Sequence, residues 1–283
     1  MPGASRPPSD SEGQGTPPTL GALVRADQPW GDAGLARLYD AFPFEDDLPF
    51  YRELADEAEP ILEVCCGTGR VLVPLAAAGH RIVGLDASPH MLAVARAKLD
   101  ARGPEVVARA RLVQGDMRSF SLEGGPFGLA IVAVKSFAYL TRRSEQQATL
   151  AAIAAHLRPG GLLALDLMNP SPEWLTARPG SLNQDLVHEV PEEGVTVART
   201  EAVVSTDLAA QVRVIRSGYE VIRPDGSVTK RFVEWPYRWV YRFEAEHLLG
   251  RAGFAIEAVY GGYRREPFHS DARTMLFLAR RTG

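Results

Sequence analysis

The chain is poor in cysteine: its 283 residues carry two, and they are neighbours, Cys65 and Cys66. Adjacent cysteines rarely pair with each other, and two residues cannot make a structural zinc site. That excludes a disulfide framework and leaves packing as their expected role. A reducing cytoplasm fits such cysteine usage. No run is long and apolar enough to span a bilayer, and the N-terminus has no apolar signal core, so neither a membrane nor export is expected. The net charge is only -4. That balance gives no reason to expect nucleic acid or an anionic surface as partner. The histidines (His80, His90, His156, His188, His247, His269) show no His-x-x-x-His or His-Glu pair on a helix face, so no metal is expected.

What is present is the ordinary mixture of a globular protein, 46% hydrophobic and 23% charged. The length suits one large α/β domain with an insertion or cap. Met1 to about Thr19 is rich in Pro, Gly and Ser without an apolar period. Residues 1–20 therefore read as a disordered tail, and 21–283 as the folded domain.

The rest is organised around Ile61-Leu62-Glu63-Val64-Cys65-Cys66-Gly67-Thr68-Gly69-Arg70. An apolar strand enters a glycine turn, and a helix over Arg70 to Ala78 follows. Gly67 and Gly69 let the backbone turn sharply and approach a ligand closely. The first N–H groups of the helix face whatever lies in the turn. A second apolar strand, Arg81 to Leu85, ends in Asp86, placed to accept both hydroxyls of a ribose. Where a dinucleotide fingerprint wants its third glycine stands Leu72, which argues for a ligand without a pyrophosphate.

These residues resemble the class I S-adenosylmethionine-dependent methyltransferases. The family pattern acid-x-Gly-x-Gly-x-Gly stands here as Glu63-x-Cys65-x-Gly67-x-Gly69, with Cys65 in place of the first glycine. Asp86-Ala87-Ser88, Gly115-Asp116-Met117 and Phe127-Gly128 match further along; Gly128 replaces the family's usual Asp. The resemblance runs from about Leu38 to Arg281, nearest to the glycine-type and amino-sugar N-methyltransferases. It implies a Rossmann-like, seven-stranded, mostly parallel sheet with an antiparallel last strand. It also implies S-adenosylmethionine as cofactor, held by Tyr39, Glu63, Cys65, Gly67, Thr68, Gly69, Arg70, Asp86, Ala87, Met91, Asp116, Met117, Val134 and Lys135. In that scheme Tyr39 reaches the methionine carboxylate, and Asp116 and Met117 meet the adenine. The residues alone leave Tyr39 as a packing aromatic, Asp116 as a turn cap, Met91 as core and Lys135 as a solvated side chain.

Further along, Leu129 to Val134 is a continuous apolar run, as a central strand requires. It leads into Lys135 to Tyr139, where chemistry is expected beyond the strand's carboxyl end. Ser144 to Gln147 reads as a capping box for a helix running to Leu157. Leu162 to Leu167 is a fifth strand leading to Asn169, at the pocket mouth or capping its own turn. Residues 190–243 change character. Three antiparallel strands are expected, as a small inserted β-sheet that caps the acceptor site or serves a homodimer. Trp235, Tyr237, Trp239 and Tyr241 alternate onto one face of its last strand. Paired strands over Phe254 to Tyr260 and Thr274 to Arg280 close the chain.

The expected activity is methyl transfer to a nitrogen or oxygen of a small molecule. Tyr139 and His188 are the candidates to take or relay a proton. Tyr139, Asn169, Tyr219, Trp235 and Tyr237 are the candidates to meet the acceptor. A non-methylating reaction with the same cofactor, and a regulator that binds it, remain open at this stage.

Overall fold

A computed structural model of the chain describes residues 33–42, 44–190 and 193–283. The tail expected over 1–20 lies outside them. The first half alternates helix and strand: α1 (Ala33–Tyr39), α2 (Leu48–Glu57), β1 (Ile61–Val64), α3 (Leu72–Ala77), β2 (Ile82–Asp86), α4 (Pro89–Asp100), α5 (Pro104–Val107), β3 (Ala110–Gln114) and β4 (Phe127–Val132). A short 3-10 helix over Ser136–Tyr139 precedes α6 (Arg143–His156), β5 (Leu157–Met168) and α7 (Pro172–Thr176). Then come four strands in succession, β6 (Leu182–Val190), β7 (Val195–Asp207), β8 (Val212–Ile222) and β9 (Val228–Arg238). The chain ends with α8 (Arg242–Arg251), β10 (Phe254–Tyr260) and β11 (Thr274–Arg281).

The main sheet has the order β10-β11-β5-β4-β1-β2-β3. Strands β1 to β5 run parallel, and β11 lies antiparallel between β10 and β5. Every residue of β1 and β4 is buried, because helices cover both faces. One face packs Ile61, Leu129, Ile131 and Ala164 against α2 and α3; the other packs Leu62, Ala130, Val132 and Leu163 against α6 and α8. Local chemistry sets the helix starts. Ser88 caps α4 by accepting from the Met91 N–H at 3.2 Å, with Pro89 at the first helical position. At α6 the expected Ser144 cap gives way to Arg142. There the Glu145 carboxylate reaches back to the Arg142 N–H at 3.0 Å, so the helix begins two residues earlier.

The second sheet, β6-β7-β8-β9, is antiparallel throughout and holds four strands where three were expected. Its last strand also stops short. It ends at Arg238, and Tyr241 becomes the exposed N-cap of α8. Trp239 leaves the strand face and packs edge-on against Trp174, with centroids 5.4 Å apart. Only Trp235 and Tyr237 of the expected aromatic row share the inner face. Pro236 is accommodated because β9 is an edge strand. Arg213, fully buried on β8, stacks over Trp174 at 4.1 Å and donates to the Trp174 and Leu175 carbonyls, tying α7 to this sheet. The inner face carries Tyr219, Val233 and Trp235. It closes over α1 and Tyr139 through Leu35, Leu38 and Phe42. Among the described residues no helix is long and apolar enough to cross a membrane.

Candidate active site

Strand β1 runs into a turn in which Cys65, Gly67 and Gly69 all have positive φ, at 61°, 54° and 75°. Gly69 is required twice over. Its φ is left-handed, and a Cβ there would stand 3.0 Å from Val73 Cγ2 and 3.2 Å from Ala95 Cβ, where α3 and α4 close on the turn. The Gly67 N–H donates to Asp86 Oδ2 at 2.9 Å, and the Ser88 N–H to Oδ1 at 2.8 Å. The carboxylate keeps a further acceptor site. Asp86 is partly exposed beside the turn, so a ligand diol can be accepted there. Burial raises its pKa, against the pull of those backbone bonds.

The helices before β1 are bound to this turn. Thr68 Oγ1 donates to Asp40 Oδ1 at 2.7 Å, and Lys98 Nζ meets the other oxygen at 2.7 Å. The Arg70 guanidinium grips Asp47 through both nitrogens, at 2.5 and 2.7 Å, and donates to the Phe44 carbonyl. Tyr39, from α1, hydrogen-bonds Arg70; burial pushes its hydroxyl pKa up. The side chains of Thr68, Glu63 and Met91 are buried and shape the turn from within. Cys66 packs beneath it, and Cys65 Sγ lies 3.5 Å from Met117 Sδ.

Glu63 carries its own consequence. Burial pushes its carboxyl up to about 8, and Oε2 has no hydrogen-bond partner among the described residues. The folded chain therefore holds this proton where the unfolded chain, with a value of 4.5, has released it. The associated stabilisation is full below about 4.5, declines as pH rises and is gone near 8, at up to ~1.4 kcal/mol per pH unit. Thermal melts across this range are expected to show the decline, and Glu63→Gln to flatten it. An unchanged slope in that variant would mean that Glu63 does not hold the proton.

Beyond β3, Asp116 is clamped by its neighbour. Arg118 Nε meets both carboxylate oxygens at 2.9 Å, and its backbone N–H adds a bond at 2.8 Å. Arg118 holds this carboxyl below its usual range. Asp116 thus caps its turn, and its carboxylate stays 44% exposed beside the crevice. Ala87 is exposed at the rim, with Met117 partly exposed below it.

At the end of β4, Val134 and Lys135 are both left-handed, and the expected strand stops at Val132. Lys135 Nζ lies 3.9 Å from Asp166 Oδ2, which also receives the Tyr263 hydroxyl at 2.7 Å. Neither Asp166 nor Tyr263 was expected here. The visible signal was a carboxylate inside the apolar run Leu162 to Met168, since Asp is almost never fully buried without partners.

On the far side of the crevice, the Tyr139 and Tyr237 hydroxyls are 3.2 Å apart, and Tyr139 also packs on Trp235. Trp235 Nε1 donates to Ser217 Oγ at 2.8 Å, and Ser217 to Glu201 Oε1 at 3.3 Å. The Tyr219 hydroxyl meets Arg199. Burial raises the phenols: Tyr237 is pushed up to about 12, and Tyr139 well above its usual value. Both stay protonated at neutral pH, so Tyr139 is no general base. Two other expectations are redirected. His188 faces the ring of Phe42 edge-on at 5.5 Å, as a packing residue. Asn169 donates both amide hydrogens, to the Ser270 and Ala272 carbonyls at 3.1 and 2.7 Å, and so anchors the segment before β11.

Residues 61–161 match the family model of a methyltransferase domain. The dTDP-3-amino-3,6-dideoxy-alpha-D-glucopyranose N,N-dimethyltransferase of Streptomyces fradiae is 30% identical over 240 residues, covering 81% of this chain and 86% of that one. An amino pentose methyltransferase of Micromonospora echinaspora, solved with S-adenosylmethionine bound, superposes with a TM-score of 0.65 at 27% identity, over 88% of this chain and 97% of that one. A methyltransferase of Streptomyces caelestis has the same fold, with a TM-score of 0.73 at 23% identity, over 90% and 98% of the two chains.

Proposed function

Since the chain belongs to the class I S-adenosylmethionine-dependent methyltransferases, we propose that it methylates a nitrogen of a small-molecule amine, with amino sugars the first class to test. The observation that carries this reading is the Tyr139–Tyr237 hydroxyl pair, set between the strand-end crevice and the inner face of the second sheet.

The glycine turn fits an adenosyl group. Its backbone is left-handed where a side chain would intrude, and the Asp86 carboxylate keeps an acceptor site for a ribose diol. S-adenosylmethionine, when bound, supplies a methyl group already activated on sulfonium. Gly67, Gly69, Ala87 and Asp86 would hold the nucleoside, with Cys65 and Met117 toward its base. Tyr39 and Arg70 would meet the methionyl carboxylate, and the backbone at Val134 and Lys135 would lie toward the acceptor. Tyr219, Trp235, Tyr237 and Tyr139, packed together under the second sheet, form the acceptor side. A neutral phenol can accept from an amine N–H and so aim the nitrogen lone pair. Alignment in a site sheltered from water is then the main contribution of the protein. The amine enters uncharged, and no side chain has to remove its proton first.

Residues 21–283 act as one catalytic unit, in the cytoplasm and without nucleic acid, with the second sheet as its cap. The exposed Leu182, Val187 and Phe232 on the outer face of that sheet suit pairing with a second copy.

Incubation with methyl-labelled S-adenosylmethionine and dTDP-3-amino-3,6-dideoxyglucose, within a panel of amino sugars, is expected to give label on nitrogen. Tyr139→Phe is expected to lower kcat about tenfold while the Kd for S-adenosylmethionine stays within twofold. No label on any amine of the panel, with the cofactor bound, would overturn the nitrogen assignment.

A further inference from the structure

Val134 and Lys135, at the carboxyl end of β4, lie in the left-handed region with φ of 49° and 59°. Neither is glycine, and for a β-branched valine this conformation is a genuine outlier. Residues held this way persist only where their surroundings over-determine them, and they gather at functional sites. Here the surroundings can be named. Ser136 closes the turn from one side, its N–H and Oγ both donating to the Ala133 carbonyl, at 3.1 and 2.8 Å. The Ala138 N–H then donates to the Lys135 carbonyl at 2.9 Å, which starts the 3-10 helix that ends in Tyr139.

From the other side stands Asp166. Ile131 pairs with Ala164 and Val132 with Leu165, so Asp166 falls beside Ala133, just before the left-handed pair. Its side chain is fully buried; Oδ2 takes the Tyr263 hydroxyl at 2.7 Å and faces Lys135 Nζ at 3.9 Å. Oδ1 is buried without a hydrogen-bond partner among the described residues. As a packing element this is a poor choice. Replacing a buried ion pair by well-packed apolar residues is often neutral or stabilising, so a role other than stability is called for. Cross-sheet geometry supplies one: Asp166 stands beside the root of the strained strap, facing Lys135 Nζ and hydrogen-bonded to the Lys135 backbone, and the strap carries Tyr139.

We propose that Asp166, oriented by Tyr263, is a positioning residue that holds Val134–Lys135 left-handed and thereby sets the Tyr139 hydroxyl on the acceptor side. Lys135 is drawn toward Asp166, which keeps its ammonium from competing with the acceptor amine. The proposal rests on the reading of Tyr139 as an acceptor-side residue.

The test uses the full chain saturated with S-adenosylmethionine, with hydrogen exchange read by mass spectrometry. In D166N, amides 134–140 are expected to exchange at least about tenfold faster. Residues 61–70 should keep their wild-type rates, and the Kd for S-adenosylmethionine should stay within twofold. Y263F, which removes only the phenol's donation, is expected to move the same segment to a lesser degree, and it serves alone if D166N does not fold. L249A, a cavity variant in α8, reports general destabilisation; it should not single out 134–140. With the dTDP-amino sugar as acceptor, D166N is expected to lower kcat, and adding Y139F to cost nothing further, since both act through one hydroxyl. Wild-type exchange at 134–140 in both variants would overturn the proposal, as would kcat losses that multiply. The exchange measurement needs no acceptor, so it stands even if the amino sugars prove to be the wrong class.

Discussion

Asp86→Ala is expected to weaken binding of S-adenosylmethionine at least about a hundredfold, read by titration calorimetry. Two effects act together. The ribose diol loses an ionised acceptor, and hydrogen bonds to charged groups are worth about 1.5–3 kcal/mol each. With tenfold in affinity for every ~1.4 kcal/mol, one such bond gives roughly tenfold and two give a hundredfold or more. The Gly67 and Ser88 N–H groups also lose the oxygens that now fix them, at 2.9 and 2.8 Å, so the turn loosens as well. Asp86→Asn keeps one acceptor oxygen and should fall between the two. Wild-type affinity in Asp86→Ala would remove Asp86 from the cradle and the cradle from the site.

Asp47→Ala should cost the fold about 3–5 kcal/mol, because removing one partner of a buried pair strands the other's charge. Asp47 is wholly buried, and its two oxygens meet the Arg70 guanidinium at 2.5 and 2.7 Å. For a domain of this size that loss lowers Tm by roughly 10 °C. Calorimetric melting of the full chain measures it. Adding Arg70→Met should return part of the loss, since the stranded charge is then gone. If Asp47→Ala melts like wild type, the pair contributes nothing and the docking of α2 must have another source. Affinity for S-adenosylmethionine should fall too, because Tyr39 leans on Arg70.

The parallel core was legible because its signals are local. Continuous apolar runs such as Leu129 to Val132 mark strands covered on both sides, and Gly69 marks a turn that only glycine can make. The meeting of the glycine turn with Asp86 was legible for the same reason: Gly67 and Asp86 lie at the ends of adjacent strands. What stayed hidden depends on partners far away in the chain. Asp47 and Arg70 are separated by 23 positions, and Asp166 and Tyr263 by 97, and no periodicity announces such pairs. Asn169 and His188 carry versatile side chains, yet the fold commits one to two carbonyls and the other to a ring edge. The aromatic row from Trp235 to Tyr241 misled for a different reason. Alternation predicts a shared face only while the strand lasts; the strand ends at Arg238, and Tyr241 already caps α8. For Asp116, the neighbour Arg118 was in plain view, and opposite charges two residues apart in a turn announce the pairing that the fold makes.

The crevice is assembled from stretches that do not overlap in the chain. The residues set toward the nucleoside are drawn from one block, 61–117, whereas the opposite wall comes from α1, the 3-10 helix and the second sheet. Whatever recognises the nucleoside can therefore remain constant while the opposing wall is exchanged wholesale. Grafting β6 to β9 from a relative should re-address the enzyme to a new amine without retuning how it grips its methyl source.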